Sequence, residues 1–395
     1  MPEGGASQDG YDALLLVGFG GPEGMADVMP FLENVTRGRG VPPERLIEVS
    51  HHYEHFNGVS PINDQNRALI AALEGELARR GLDLPVLWGN RNWAPYLHEA
   101  LTAAHEAGHR RLLALVTSAY SSYSSCRQYR EDLAGALATS GLAGQLSIDR
   151  VRQYFDHPGF VAPFAQGLAD AVTSLRDQLG DDAALEILFT THSIPNSMGL
   201  SSGPPARHDH GPDAAPGGVY EAQHLATAAL IVAQAQERSG AAMPPWRLVY
   251  QSRSGPPSIP WLEPDVNDAV RAAAEAGARG VVVVPSGFVS DHLEVLWDLD
   301  EEARETAQEV GLAFARVATA GTQEAFVTGL VDLIVERLDP QAPIDALSDL
   351  GPWPAVCAPG CCANLRVAIP AAVGGDDGAV FRRTDDGFAV DISPL

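Results

Sequence analysis

The chain has no apolar run approaching the ~20 residues that a membrane-spanning helix requires. Its first ten residues lack both the basic and the apolar region of a secretory leader. These absences predict a soluble, cytoplasmic protein. Basic residues are scarce, with 26 Lys and Arg against 51 Asp and Glu and a net charge of −25. A surface field of that sign repels nucleic acid, and no basic run with interleaved aromatics offsets it, so nucleic acid is excluded as a partner. An anionic ligand would have to be captured by a local basic patch, and Arg37-Gly38-Arg39-Gly40 is such a cluster in a loop. Cysteine is sparse, with four in 395 residues, and a disulfide is disfavoured in a chain that reads as cytoplasmic.

What is present is an alternation of strand and helix patterns. With 45% apolar residues the chain can bury an ordinary core, and its length favours two domains. Residues 12–17 form a short apolar run leading into Gly18-Phe19-Gly20-Gly21-Pro22, and similar runs recur near 84–90, 111–118, 146–152, 184–191, 246–251, 279–285 and 313–317. Helical spacing covers 63–80, 95–107, 127–138, 158–179, 221–238, 265–277, 292–310 and 322–337. Repeated β-α units of this kind predict an α/β fold of two similar doubly wound domains, each with a four-stranded parallel sheet flanked by helices. The halves are expected to be 1–155 and 156–340, with a tail over 341–395. Three segments break the pattern. Residues 196–218 read as a mobile excursion suited to a lid, residues 252–264 are proline-rich around Trp261, and the tail ends in a Gly/Asp-rich piece expected to be loosely held.

Two strand ends carry candidate chemistry. One apolar run (Leu185, Ile187, Leu188, Phe189) ends at Thr191-His192-Ser193-Ile194-Pro195, and Val281–Val284 ends at Pro285 and releases residues 286–298. Open α/β sheets bind ligands beyond such carboxyl ends. An imidazole there can take a proton or coordinate a metal. Glu294, Asp298 and Glu302 recur at i, i+4 and i+8, one stripe of an α-helix or of a π-bulged one. A solvated acidic face is the ordinary meaning of such a row. His208, His210 and His224 lie in or after the excursion and are expected at the surface.

Three cysteines sit within six residues, Cys357-Ala358-Pro359-Gly360-Cys361-Cys362, and Cys126 completes four. They are either buried thiols acting as small hydrophobes or four ligands for a tetrahedral zinc or an iron–sulfur cluster. Adjacent Cys361 and Cys362 crowd a single zinc, whereas two irons can share them. Spacing alone leaves the choice open.

Several blocks together resemble the ferrochelatases: 18–23 (Gly-Phe-Gly-Gly-Pro-Glu), 34–39 (Asn-Val-Thr-Arg-Gly-Arg), 58–63 (Gly-Val-Ser-Pro-Ile-Asn), 191–195 (Thr-His-Ser-Ile-Pro), 250–253 with 261–264, and 287–296. The resemblance runs from about residue 12 to 340. The 120–126 segment and the cysteine tail look like the actinobacterial branch, whose members carry a 2Fe–2S cluster and insert ferrous iron into coproporphyrin III. It implies Cys126, Cys357, Cys361 and Cys362 as cluster ligands, although the tail spacing departs from the vertebrate pattern. The cluster would act as a staple for the tail or as a sensor for iron or oxidants, and the staple is the preferred reading.

The same resemblance implies His192 as base and metal ligand, Glu294 facing it, and Asp298 and Glu302 continuing a metal or proton path. Phe19 stands where many Gram-positive relatives have a tyrosine, and phenylalanine cannot ligate. Phe19, Val289 and Trp261 would pack on the ring, while Arg37, Arg39, Ser60, Asn63, Tyr120, Ser121 and Tyr123 would supply donors to propionates at the cleft mouth. The implied enzyme is a monomer that makes coproheme. The rival readings are a protoporphyrin IX enzyme, or a non-catalytic porphyrin or haem carrier of the same fold. Cobalt or nickel chelatases of this architecture favour paired histidines, and here only His192 aligns.

Overall fold

The structure, a computed structural model, describes residues 10–38, 40–208, 215–373, 380–384 and 387–391. Eight strands form two all-parallel sheets. β1 (Ala13–Gly18), β2 (Val86–Asn90), β3 (Arg111–Val116) and β4 (Ser147–Arg150) are ordered β2-β1-β3-β4. β5 (Leu185–His192), β6 (Trp246–Gln251), β7 (Gly280–Val284) and β8 (Ala313–Arg316) repeat that order as β6-β5-β7-β8. The fold class is the expected one. The central strands β1 and β7 are buried at every position, as continuous Leu and Val runs require when helices cover both faces of a parallel sheet.

The helices are α1 (Met25–Val35), α2 (Pro43–His55), α3 (Ile62–Arg79), α4 (Leu97–Glu106), α5 (Gln128–Thr139), α6 (Pro158–Leu179), α7 (Asn196–Leu200), α8 (Gly218–Ser239) and α9 (Val266–Glu275). After β7 come α10 (Leu293–Val295), a π-wound stretch Leu296–Ala303, and α11 (Arg304–Glu309), followed beyond β8 by α12 (Glu324–Leu338). Among the described residues no helix is long and apolar enough to cross a membrane.

One apolar core joins the two sheets. Leu14, Leu16 and Leu115 of the first sheet and Ile187, Phe189, Val282 and Val284 of the second pack with Phe160, Phe164 and Phe326 from α6 and α12. The outer faces have their own clusters, under α4 and α5 on the first sheet and under α9 and the π-wound helix on the second. This shared layer fixes the two sheets relative to each other, so the cleft between their strand ends has a set width.

The structure departs from the sequence reading in three places. Helices α1 and α2 were not foreseen, because they pack as a small satellite cluster (Val28, Phe31, Leu32, Leu46, Tyr53) rather than on a sheet. The excursion after His192 is not free where it is described. It folds as α7 and a 3₁₀ turn, Pro205–Arg207, and it buries Gly199, Ser202 and Gly203; residues 209–214, with His210, lie outside the described residues. In the tail, Trp353, Cys357, Cys361 and Cys362 are buried although 341–373 has no regular element. The Gly/Asp-rich piece near 374–379 lies outside the described residues, and an antiparallel hairpin follows, β9 (Val380–Thr384) with β10 (Gly387–Asp391).

Candidate active site

The strand order reverses between β1 and β3 and again between β5 and β7, so the loops leaving these four strands diverge and open a crevice at each sheet. Phe19 leaves β1, residues 117–123 leave β3, His192 ends β5, and Glu294 follows β7. The two crevices face each other. Tyr120 donates to the Ser286 carbonyl at 2.9 Å, and the Asp291 amide donates to Gln65 Oε1 at 2.8 Å. Leu293 is inserted among Phe31, Leu32 and Tyr53, a cluster that Phe19 and Trp93 also touch. Over the crevice rim His52 of α2 stacks on Trp297 of the π-wound helix at 4.2 Å.

Glycines allow this close approach. A Cβ on Gly287 would lie 2.3 Å from Thr191 Oγ1, so only glycine lets the loop after β7 lie against the end of β5. Gly20 adopts φ +83 in the turn after Phe19.

At His192 the geometry fixes one proton. Nδ1 lies 2.5 Å from the Ser193 carbonyl. A carbonyl only accepts, so Nδ1 carries a proton. The neighbouring strand positions a carboxylate beside it. Gln251 pairs with His192 in the sheet register, and its amide donates to Asp298 Oδ2 at 3.2 Å. Ser252 also donates to Asp298, from a backbone held at φ +62, and strain of that kind gathers at working sites.

Asp298 is the electrostatic centre of the group. Burial pushes its pKa up to about 7, Ser252 and His192 act against the rise, and the like charges of Glu294 and Glu302 add to it. Glu294 itself is exposed to the crevice and Glu302 lies at the surface, accepting from Trp297 Nε1 at 2.8 Å. Asp298 between them is half-buried, and the stretch Leu296–Ala303 is π-wound, the bulged alternative. Burial, with His192 beside it, also holds His292 neutral with a pKa near 3. Among the described residues no three His, Cys, Asp or Glu side chains are arranged about one metal position.

The remaining candidates divide by exposure. Arg37 is exposed at the end of α1, and Arg39 lies outside the described residues. Phe19 is half-buried, with the Arg91 guanidinium 5.7 Å from its ring. Trp261 bridges to Pro195 just beyond His192. Val289 is core. Ser60 is buried against Gly21, and Asn63 is buried with its amide on the Gly21 carbonyl and on Glu23. Tyr120 and Ser121 are fully buried at the junction of the halves, the Ser121 amide donating to Gln223 at 2.8 Å, so they do not stand at the mouth. Tyr123 is half-buried and donates to Glu131 at 3.0 Å. It lines a cavity of about 400 Å³ with Arg91, Tyr96 and Asp132 that His192 and Glu294 do not reach.

The family model for ferrochelatases matches residues 11–338. The chain belongs to the ferrochelatase family. It is 58% identical over 370 residues to the coproporphyrin III ferrochelatase of Leifsonia xyli subsp. xyli, covering 92% of this chain and 94% of that one. It is 52% identical to the protein of the same name from Streptomyces coelicolor, covering 93% and 96%, and 52% identical to that of Tropheryma whipplei, covering 94% and 93%. The chain is therefore an enzyme, a chelatase acting on ferrous iron and a porphyrin.

In this ferrochelatase-family chain the four cysteines converge from distant parts of the sequence. Cys126 comes from a π-wound turn, Tyr123–Arg127, and packs with Cys357, Cys361 and Cys362 in one buried group. All four are free of disulfides. The Sγ atoms of Cys361 and Cys362 are 3.9 Å apart. Arg150 donates to Cys126 Sγ at 3.3 Å and to Cys357 Sγ at 2.9 Å, and the Gly203 amide donates to Cys362 Sγ at 3.1 Å. Burial with N–H groups aimed at sulfur is the environment that thiolate ligands of a metal centre require.

His224 was expected at the surface and is instead completely buried. It stacks on Tyr120 at 3.6 Å, and its Nδ1 donates to the Tyr220 carbonyl at 2.7 Å. Burial drives its pKa down to about 3. Above the unfolded value of ~6.5 it is neutral in both states and adds no pH dependence. As pH falls below ~6.5 the unfolded chain takes a proton that the folded chain refuses, and stability drops by ~1.4 kcal/mol per unit. His224→Phe removes this term. The variant should be less stable at pH 7, and its deficit should shrink by about 2 kcal/mol by pH 5. Urea unfolding at the two pH values tests this; a constant deficit would refute it.

Sequence reasoning missed Gln251, Ser252 and Tyr220 as supports of the site. Tyr220 shares a hydrogen bond with Thr191 at 2.7 Å and donates to the His192 carbonyl at 3.0 Å. The signal available for the first two was their place at the end of an apolar strand next to the one that carries His192.

Proposed function

We propose that the protein inserts Fe²⁺ into coproporphyrin III to give coproheme, with the macrocycle held between Phe19 on one wall and His192 and Glu294 on the other. The observation that carries the substrate is the 50–58% identity, over most of both chains, to relatives named for coproporphyrin III. Metallation releases two pyrrole protons, so the site must accept them while iron sheds water. His192 receives a proton at Nε2, the ring nitrogen that does not face the Ser193 carbonyl. Asp298, poised near neutrality, passes it toward Glu302 and solvent. Glu294, Asp298 and Glu302 also guide hydrated Fe²⁺ inward, since oxygen and imidazole ligands hold Fe²⁺ without trapping it as thiolates would. The net charge of −25 favours the cation and opposes the porphyrin carboxylates, and Arg37 and Arg39 are the residues of this reading that clamp propionates.

We also read Cys126, Cys357, Cys361 and Cys362 as the ligands of a 2Fe–2S cluster, supported by their burial as one group and by the N–H donors on three of the sulfurs. When bound, such a cluster supplies four covalent cross-links and a one-electron store.

Turnover should be markedly faster with coproporphyrin III than with protoporphyrin IX, because protoporphyrin carries only two of the four propionates that the arginines would clamp. Anaerobic initial rates on the two porphyrins measure this. Equal or reversed rates would overturn the substrate assignment and leave the family intact.

A further inference from the structure

We infer that Arg150 is the fixed counter-charge of the four-cysteine centre, a positioning residue whose guanidinium sets how readily the group held there accepts an electron. The inference rests on reading that centre as an iron–sulfur site. Arg150 ends β4 and is 2% exposed. Its Nη1 donates to Cys126 Sγ and to Gln153 Oε1 at 2.6 Å, its Nη2 to Cys357 Sγ, and its Nε to the Ala355 carbonyl at 3.1 Å. No carboxylate is among these partners.

A guanidinium keeps its charge in a protein, and a buried charge is tolerated only beside an opposite one. Three other buried arginines show the ordinary arrangement. Arg127 meets Glu131 at 3.0 Å, Arg152 grips Glu336 with two bonds at 2.8 and 2.9 Å, and Arg91 is paired with Asp132. Arg150 has sulfur where those three have carboxylate. The sulfurs it touches stand where those carboxylates stand, the place that metal-bound thiolates would fill. One N–H reaches the cysteine of the first half and the other reaches a cysteine of the tail, so Arg150 touches both ends of the cross-link, while Arg130 acts on Cys357 from farther off.

Reduction of a cluster by one electron adds a negative charge at this spot, and a neighbouring buried cation favours that charge. The chain contains no lysine, so no ammonium in the sequence can take over the task.

The test uses the full chain, purified anaerobically as wild type, Arg150→Gln and Arg150→Lys. Iron and acid-labile sulfide are measured per chain, and the cluster is then titrated with dithionite and followed by its absorption and electron paramagnetic resonance. Arg150→Gln should make reduction at least tenfold less favourable, a midpoint lower by about 59 mV for one electron. Arg150→Lys, which keeps the charge, should recover most of the shift. Loss of the cluster in Arg150→Gln with retention in Arg150→Lys also supports the inference. An unchanged midpoint in Arg150→Gln, an equal shift in both variants, or equal cluster loss in both overturns it. Wild-type protein without iron and sulfide overturns the cluster reading itself, and the inference falls with it.

Discussion

Alanine at His192 is expected to slow iron insertion by about 10²- to 10⁴-fold while leaving porphyrin affinity nearly unchanged. The first half of that expectation comes from the ring geometry. Because Nδ1 is committed to the Ser193 carbonyl, Nε2 is the ring atom this reading uses. His292 is held neutral by burial and is directed by its own packing against Phe288. The second half follows from where binding energy resides. A planar ring with four carboxylates is held by arginines and apolar walls, not by one imidazole, so the loss should fall on turnover rather than on the Michaelis constant. Loss of free-porphyrin fluorescence after anaerobic addition of Fe²⁺ reads the rate, and fluorescence titration without iron reads affinity. Equal rates in wild type and His192→Ala would remove His192 from the proton-accepting role.

Much of this arrangement was legible in the sequence because both halves obey one rule. Apolar runs such as Leu14–Val17 and Val281–Val284 have no choice but to be interior parallel strands, and ligand chemistry collects where such strands stop. The position of His192 at the end of β5 follows from that rule, while Glu294 lies beyond the loop after β7, in α10. Side-chain environment was less legible. Tyr120 and Ser121 carry hydroxyls that suit a propionate, yet the loop after β3 folds inward, where the Tyr120 hydroxyl donates to the Ser286 carbonyl and the Ser121 hydroxyl accepts from Gln223 Nε2. His224 looked like a surface residue because the segment before it is polar, whereas α8 turns it against Tyr120. Helices α1 and α2 escaped notice because their apolar residues face one another and Leu293, not a sheet. The support that Gln251 and Ser252 give Asp298 depends on strand register, which no local pattern specifies.

Cys362→Ser should lower thermal stability substantially and free the tail, if the cluster is a staple as we propose. Three parts of the chain meet at this residue. Its sulfur packs with Cys126 of the first half, its chain neighbour Cys361 belongs to the tail, and its amide donates to the Gly203 carbonyl at 3.0 Å while the Gly203 amide returns to its sulfur. Gly203 lies eleven residues beyond the end of β5 at His192, so the tie reaches the segment that follows the active-site strand. Cys362 is also held at φ +53, a conformation that a non-glycine residue keeps only when its surroundings impose it. Serine offers a shorter hydroxyl and no thiolate, so the Gly203 amide loses its sulfur acceptor and the remaining cysteines cannot close the centre. Removing one partner of a buried charged network costs about 3–5 kcal/mol, which in a chain of this size corresponds to a melting temperature lower by roughly 4–6 °C. Limited proteolysis should then cut within 341–373, which the wild type protects. The same temperature and the same cleavage pattern, together with an altered response of activity to iron or oxidant, would assign the cysteines to sensing and refute the staple.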